Sequence, residues 1–254
     1  MITFTIYGFA ISYQLTINKR ITDNTNIDMK IIQISDTHFL DNYEDEKYLE
    51  LINDINDLNP DIVIFTGDMF EVDSINISLQ EKVTDFFLEI SCSNKYAVLG
   101  NHDYSNEVKT DTTKEILMDS GFTILVNENT ELTLNDKTIN IIGLDDLMMG
   151  DANYDDVLST SYDYDFNLVL SHEPDTFDTV KTYDIFAMYA GHSHGGQVRL
   201  PFIGEIYNVP GAKIYNDRYT YEEETHLYVS FGLGETIIPI RFFNPRSIEY
   251  YEYS

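Results

Sequence analysis

Five of the six histidines in this chain of 254 residues lie in short polar clusters, each of which follows directly after a short apolar segment. The apolar segments have the length and composition of buried β-strands. In open α/β sheets, ligands bind beyond the carboxyl ends of the strands, so residues far apart in sequence can meet at one site. The clusters, including one without histidine, are Asp36-Thr37-His38, Gly67-Asp68, Gly100-Asn101-His102-Asp103, Ser171-His172 and Gly191-His192-Ser193-His194.

The spacing of apolar residues predicts the elements around these clusters. The strands that precede the clusters are predicted over 29–34, 61–66, 96–99, 166–170 and 185–190. Helices are predicted over 45–58, 78–90 and 107–119. A hairpin is predicted around Asn135-Asp136-Lys137, and strands and turns follow Pro201. We expect a single domain over 1–254, in which residues 1–28 form a strand and loop extension and 2–17 contain one or two strands.

Charge and cysteine content limit the function and the location. The chain has 15 Lys and Arg against 44 Asp and Glu, a net charge of −29. Such a surface repels nucleic acid, and no run of Lys or Arg forms a basic groove, so a nucleic-acid partner is not expected. Cys92 is the only cysteine, which excludes an intramolecular disulfide. The apolar residues of 2–17 are interrupted by polar ones, which predicts no export signal and a cytoplasmic protein with at most peripheral membrane contact.

The clusters carry the donor atoms of a metal site. Histidine nitrogens mixed with carboxylate oxygens suit borderline divalent metals. Residues two apart on an extended backbone point to the same side, so we expect Asp36 to face one site with His38, and His192 with His194. Asp68 has two carboxylate oxygens and could bridge two ions about 3.5–4 Å apart. Two such ions would form a local cationic trap for a phosphate group in an acidic protein.

The ordered clusters resemble the calcineurin-like metallophosphoesterase superfamily, whose pattern is D-x-H, G-D, G-N-H-D/E, H and G-H-x-H. The resemblance runs from about Met29 to the end of the chain. It implies an α/β fold, a four-layer α/β/β/α sandwich with two mixed β-sheets. Further stretches are similar to the prokaryotic phosphodiesterase branch typified by YaeI and YkuE, which includes lipid-precursor pyrophosphatases. These stretches are 143–146, 171–174, 191–201, 232–234, 239–242 and 244–245.

The resemblance also implies a role for each residue. The implied metal ligands are Asp36, His38 and His194 for the first ion, Asn101, His172 and His192 for the second, and Asp68 between them. His102 would contact the phosphate and protonate the leaving alkoxide, and Asp103 would orient His102. The cofactors would be two divalent ions of Mn, Fe or Zn. The implied reaction is hydrolysis of a phosphodiester or pyrophosphate bond by a metal-bound hydroxide.

Other functions and weaker candidates remain open. A phosphomonoesterase or protein phosphatase, or a non-catalytic binding module, could have the same fold, although the complete ligand set favours catalysis. The expected partner is a phosphate ester, such as a lipid or nucleotide diester or pyrophosphate. Arg199 and Arg241 are weaker candidates for phosphate contact, and His226 is expected at the surface. Residues 200–203 are a candidate apolar membrane contact, with an ordinary buried turn as the alternative.

Overall fold

Two six-stranded sheets face each other in the computed structural model, which describes residues 8, 10, 14–23, 25–41, 45–237 and 239–254. In spatial order, the first sheet contains β1 (Leu15–Thr22), β14 (Arg246–Tyr253), β2 (Met29–Ile34), β3 (Ile62–Thr66), β4 (Lys95–Val98) and β5 (Phe122–Ile124). The second contains β12 (Tyr219–Glu222), β13 (Thr225–Val229), β9 (Ala187–Ala190), β8 (Phe166–Leu170), β7 (Lys137–Gly143) and β6 (Glu128–Leu134). A short hairpin of β10 (Arg199–Leu200) and β11 (Gly204–Glu205) lies apart from both.

Both sheets are mixed, as the sequence predicts. Strands β2 to β5 run parallel, whereas β14 is antiparallel to β2 and parallel to β1. Strands β7, β8, β9 and β13 run parallel, and β6 and β12 are antiparallel edge strands. The carboxyl ends of β2, β3 and β4 in one sheet, and of β8 and β9 in the other, are followed by the five polar clusters.

Helices cover the outer faces of the two sheets. The first sheet carries α1 (Asp45–Asp57), α2 (Ile77–Leu88) and α3 (Glu107–Asp119), and the second carries the short α4 (Asp155–Leu158) and α5 (Phe177–Val180). Asparagine side chains cap α2 and α3: Asn76 accepts the Leu79 N–H and Asn106 accepts the Lys109 N–H. The result is the four-layer α/β/β/α sandwich that the sequence predicts.

Strand alternation divides the apolar side chains between three buried clusters. Ile32 and Phe65 face the helices of the first sheet. Ile31 and Ile64, one residue away on the same strands, face the second sheet and form the central cluster with residues such as Leu168. A third cluster packs the second sheet against its short helices. Both sheets are therefore buried on both faces, which fixes their strand ends relative to one another.

The predicted elements agree closely with the structure in most places. The five strands before the clusters and the three helices lie within two residues of their predicted bounds. The hairpin turns at Asn135 and Asp136, both with positive φ, between β6 and β7. The expectation of strands over 2–17 is wrong at Gly8 and Ala10, which are helical, and right from Leu15. At 1–7, 9 and 11–13 it falls outside the described residues.

Phe65 provides a test of the core. Its ring is fully buried on β3 and packs edge-on against Phe87 of α2, with ring centroids 5.4 Å apart. Phe65→Ala should lower the free energy of unfolding by about 3–5 kcal/mol, because it removes buried apolar surface and leaves a cavity. Chemical denaturation would measure this. Phe202→Ala is the matched control, since that ring is exposed, and it should change the stability little; equal losses in both variants would contradict the assigned core.

Candidate metal centre

The five polar clusters meet where the two sheets are tied together. The amide of Gln33 on β2 donates to the Ala190 carbonyl of β9, over 2.8 Å, and to the Thr66 hydroxyl of β3. His172, after β8, lies with its Nδ1 2.7 Å from the Thr66 carbonyl. The Gln33–Ala190 and His172–Thr66 contacts cross from one sheet to the other beside the clusters. The candidate site therefore lies where side-chain contacts connect the two sheets.

Left-handed backbone, rather than extended backbone, turns the side chains into the site. The φ angles are 49° at Asp36, 41° at His38, 61° at Asp68, 63° at His192 and 47° at His194. Bulkier residues seldom adopt this region, and such outliers concentrate at functional sites. The side chains at residues two apart do share a site, but the extended geometry expected from the sequence is wrong. Because every second residue is left-handed, the side chains of Asp36 and His38, and those of His192 and His194, still point to one site.

Seven of the predicted residues form three overlapping groups of potential metal ligands. Within each group the donor atoms lie within 4.8 Å of one another. The groups are Asp36-His38-His194, His38-Asp68-His102 and Asp68-His172-His192. The first group contains the three residues expected for the first ion, and the third contains Asp68, His172 and His192 but not Asn101, the remaining ligand expected for the second ion. The middle group includes His102, whose predicted role as a non-ligand stays a prediction.

The first group brings two imidazole nitrogens face to face. Nε2 of His38 lies 3.1 Å from Nε2 of His194, which lies 3.5 Å from Oδ1 of Asp36. Asp36 is held from the opposite sheet, because its carboxylate accepts the His192 N–H and the Ser35 hydroxyl. The Asp36 carboxylate and both histidine side chains are buried.

Carbonyl oxygens orient the histidines of the second group. With Nδ1 of His172 on the Thr66 carbonyl, its Nε2 faces the site. Nε2 of His192 lies 2.7 Å from the Pro210 carbonyl, so its Nδ1 faces the site, 3.1 Å from Nε2 of His172. Contacts of this kind set the tautomer of metal-binding histidines. Burial, and then the charge of His172, lower the pKa of His192 to about 4, so its inward nitrogen is a free lone pair at neutral pH.

Asp68 contacts both groups through a single oxygen. Its Oδ2 lies 3.5 Å from Nε2 of His38 and 3.3 Å from Nε2 of His172, while its Oδ1 accepts the His102 N–H. Burial alone would raise the pKa of Asp68, but the charge of His172 lowers it well below its usual range. The carboxylate is therefore ionised and available to a cation on either side.

The donor set fits divalent ions. Nε2 of His172 and Nδ1 of His192 lie 3.1 Å apart, close enough to hold a proton or a cation between them. Within the described part of the chain, Oδ1 of Asn101 is buried and has no hydrogen-bond partner. A buried amide oxygen without a partner costs free energy that a metal ion would recover. Asn101 precedes His102 and is a predicted ligand of the second ion.

Glu71 belongs to the site although the sequence analysis did not select it. Its Oε2 lies 2.8 Å from Nδ1 of His38, a contact poorly aligned for a hydrogen bond, and 3.4 Å from Nδ1 of His102. Glu71 lies three residues after Asp68 and follows Phe70, which forms a parallel bridge with Phe39. The need of His38 for an outer acceptor was the one signal that could have indicated a carboxylate here.

Asp103 contacts backbone rather than the His102 ring. Its buried carboxylate accepts the N–H groups of Asp68, Met69 and Gly100, at 2.8, 2.9 and 2.9 Å. Burial and the neighbouring charge of Asp68 raise the pKa of Asp103 to about 6 despite these bonds. Asp103 fixes the Asp68 loop to the His102 loop, and the Glu71 carboxylate lies beside the His102 ring, as does that of Asp68.

The two arginine candidates lie outside the ligand groups. Arg199 pairs with Glu205 at 3.1 Å and donates to the Gly195 carbonyl. Arg241 is buried behind His194, where it donates to the Phe231 and Gly234 carbonyls and lies 3.3 Å from Nδ1 of His194. Both arginines are occupied with loops that carry the site, which leaves phosphate contact unsupported for them. His226 lies on β13 beside the Tyr219 hydroxyl, away from the ligand groups.

Comparison with known proteins agrees with this geometry. The model of the calcineurin-like phosphoesterase family matches residues 29–212. With the two mixed sheets and the convergent ligand groups, the match defines a metal-dependent phosphoester hydrolase. The chain belongs to the calcineurin-like phosphoesterase family.

Three relatives are similar over most of this chain. The uncharacterized metallophosphoesterase YkuE of Bacillus subtilis is 35% identical, covering 84% of this chain and 74% of its own length. The phosphodiesterase YaeI of Escherichia coli is 30% identical, covering 81% and 75%. The UDP-2,3-diacylglucosamine pyrophosphatase LpxG of Chlamydia trachomatis is 28% identical, covering 87% and 82%.

Solved structures share the fold at low sequence identity. GAP50, described as the anchor in the inner membrane complex of Plasmodium, has a TM-score of 0.55 at 11% identity, covering 87% of this chain and 79% of its own. TT1561 of Thermus thermophilus has a TM-score of 0.51 at 11% identity, covering 82% and 92%. Among the residues that this structure describes, no helix has both the length and the apolar character that crossing a membrane needs.

Gly100 provides a test of how tightly the loops pack. A Cβ at this position would lie 2.4 Å from Oδ1 of Asp68 and 2.7 Å from the His172 ring. Gly100→Ala should therefore displace both side chains and reduce metal content and activity at least tenfold. The reason is a steric clash confined to the loops that carry Asp68 and His172. Elemental analysis of the purified protein would measure the metal.

Gly121→Ala is the control for that experiment. Gly121 has φ of 83°, but a Cβ at this position would meet no atom within 4 Å, so alanine there strains the backbone alone. It should cost about 1–2 kcal/mol of stability and leave the metal content unchanged. Wild-type metal content in Gly100→Ala would contradict the packing described for the site.

Proposed function

We propose that the protein is a dinuclear metal-dependent hydrolase of phosphodiester or pyrophosphate bonds. The observation that carries the proposal is the single Asp68 oxygen between two ligand groups, His38 on one side and His172 on the other. A carboxylate in this position suits two ions that share it. The names of YaeI, a phosphodiesterase, and LpxG, a pyrophosphatase, support the type of bond.

Two groups of residues would hold the ions. Asp36, His38 and His194 form the first, Asn101, His172 and His192 the second, and Asp68 contacts both. When bound, two such ions acidify water for attack on phosphorus and neutralise charge on the phosphate oxygens. The mixed nitrogen and oxygen donors suit Mn, Fe or Zn. The ions also explain how a protein of net charge −29 can attract an anionic substrate.

His102 is proposed as the proton donor to the leaving group. Its side chain is 29% exposed, in contrast to the buried ligands, so a substrate can reach it. Burial lowers the pKa of His102, and the charges of Asp68 and Glu71 offset only part of that shift. Glu71, 3.4 Å from Nδ1, holds the ring in place. Asp103 acts further out, by fixing the backbone of the Asp68 loop against Gly100.

The proposed substrate class rests on the type of bond that the names of YaeI and LpxG indicate, and on the expected location of this protein. We propose a lipid or nucleotide diester or pyrophosphate as the substrate of a protein that contacts membranes at most peripherally. A phosphomonoesterase is the alternative. The ratio of turnover of bis-p-nitrophenyl phosphate to that of p-nitrophenyl phosphate, measured with added Mn²⁺, separates the two: a ratio well below one would favour the monoesterase.

Asp68→Ala tests the shared ligand. The purified protein should contain about two divalent ions per chain. Because one oxygen serves both groups, the variant should lose metal from both and lose activity at least about a hundredfold, more than the loss of an outer contact usually costs. Asp54→Ala, on the exposed face of α1, is the matched control and should retain both ions. Two retained ions in Asp68→Ala would exclude the shared role.

His102→Ala tests proton donation. The variant should keep its metal but lose about 10²–10⁴-fold in kcat, the usual contribution of general acid catalysis. The loss should be smaller on a diester with a p-nitrophenol leaving group, because that anion leaves without a proton. His226→Ala, outside the site, should behave as the wild type. Loss of metal from His102→Ala would instead make His102 a ligand.

A further inference from the structure

An apolar groove adjoins the candidate metal centre. It has a volume of about 320 Å³, and Ser193 and His194 belong to its lining, so groove and centre share a wall. The rest of the lining is mainly aliphatic: Val198, Ile206, Val209, Ile237 and Ile240. The volume is at the lower end of the range for small-molecule sites. Any occupant of this groove would lie next to a phosphate held at the metals.

The side chains of Ser193, Gln197 and Thr236 on the groove wall already have hydrogen-bond partners within the protein. The side-chain amide of Gln197 donates to the Thr236 carbonyl and accepts the Thr236 N–H, at 2.8 and 2.9 Å. The Ser193 hydroxyl accepts the Gly195 N–H, and the Thr236 hydroxyl donates to Glu71. A nucleobase needs polar partners that fix its orientation. A hydrocarbon chain needs none, so these walls suit an aliphatic occupant.

The hairpin of β10 and β11 extends from the walls of this groove. Strand β10 begins directly after Val198, and β11 ends directly before Ile206. The tip between them is Pro201-Phe202-Ile203, where Phe202 is fully exposed, at 109% of its reference area, and Ile203 is 73% exposed. The sequence left a buried turn as the alternative for this segment, and the structure contradicts it.

Folding does not account for phenylalanine at the tip. Phe202 has φ of 69°, a left-handed conformation that is unfavourable for a bulky residue and that Gly or Asn adopts more readily. Its ring gains no burial in return. Leu200, Ile206 and Tyr207 are also exposed, so the apolar surface continues from the tip to the groove. Contiguous exposed apolar surface of this kind marks an interaction site.

We propose that the groove binds a hydrocarbon chain of a lipid phosphoester substrate and that the Phe202 tip enters the bilayer that supplies it. This inference rests on the proposed phosphodiester or pyrophosphate hydrolysis and adds the class of substrate. A lipid fits better than a protein partner, because the groove shares a wall with His194 and its occupant would lie beside a phosphate at the ligand groups. The net charge of −29 opposes anionic headgroups, so apolar insertion must provide the binding.

Chain-length dependence tests the groove. The probes are alkyl p-nitrophenyl phosphate diesters from methyl to dodecyl, below their micelle concentrations and with Mn²⁺ present. We expect kcat/KM to rise about two- to fourfold per added methylene until the groove is filled, mainly through KM, as burial of each methylene predicts. In Ile206→Gln the ratio of dodecyl to methyl turnover should fall at least tenfold. Ile77→Gln, an isoleucine on α2 that is also exposed, is the control and should keep the wild-type ratio.

Vesicle binding tests the tip without any catalysis. Phosphatidylcholine vesicles should co-sediment the wild-type protein, and a Phe202→Ser, Ile203→Ser variant should bind at least tenfold more weakly. Vesicles rich in phosphatidylglycerol should bind the wild type less than phosphatidylcholine does. Phe202→Asn should have an unchanged or higher Tm, because asparagine tolerates the left-handed backbone and no packing is lost.

The outcomes separate this inference from the proposed function. No turnover of the methyl diester, with metal bound, would count against the proposed function itself. Good turnover of the methyl diester with no gain along the series would overturn the groove assignment alone. Equal vesicle binding by the wild type and the tip variant would overturn the role of the tip. A lowered Tm in Phe202→Asn would show that Phe202 serves the fold, which would also overturn it.

Discussion

The buried carboxylate of Asp68 is the interaction on which the rest of the candidate site depends. One oxygen lies between His38 and His172, which follow strands of different sheets, and the other accepts the His102 N–H. A buried charge is costly unless it is paired and hydrogen-bonded. The Asp68 carboxylate is paired on both sides only when both sheets are in place, because His38 follows a strand of one sheet and His172 follows a strand of the other. The same group therefore holds the sheets in register and creates the place where cations can bind.

The contacts behind the ligands decide which atoms face the site. Carbonyl oxygens of Thr66 and Pro210 orient the histidines of the second group, and Glu71 contacts the outer nitrogen of His38. His194 differs, because the group behind it is the Arg241 guanidinium, whose pKa burial lowers to about 10. A cation near one histidine and acceptor oxygens behind the others give the two ligand groups different electrostatic surroundings. The two ions would not be held equivalently.

Glu71 also connects the site to its surroundings. One oxygen contacts the two histidines, and the other accepts the Thr236 hydroxyl and the Ile237 N–H on the wall of the apolar groove. The segment that would contact an apolar part of the substrate is thus bonded to the group that holds His102. Glu71 thus connects the groove wall with the His38 and His102 rings, an arrangement that follows from the fold rather than from either loop alone.

The sequence by itself determined the elements that carry the site and most of its donor atoms. Apolar runs of strand length that end in Asp, Asn, Gly and His clusters are local signals, and the rule that ligands meet at strand ends connects them. This was enough to predict the strands, the helices and the convergence of residues such as Asp36 and His194, whereas the two mixed sheets were implied by the resemblance of the ordered clusters to the family.

Only the tertiary structure decided the contacts between segments distant in sequence. Nothing local to Asp103 indicates that it bonds the Asp68 loop, and Glu71 resembles any loop carboxylate until the fold places it beside His38 and His102. Left-handed backbone at Asp36 and His38 is likewise imposed by packing, against the extended geometry that their spacing favoured. The exposure of Phe202 could not be read from its apolar sequence context, because burial depends on which surfaces the completed fold leaves without a neighbour.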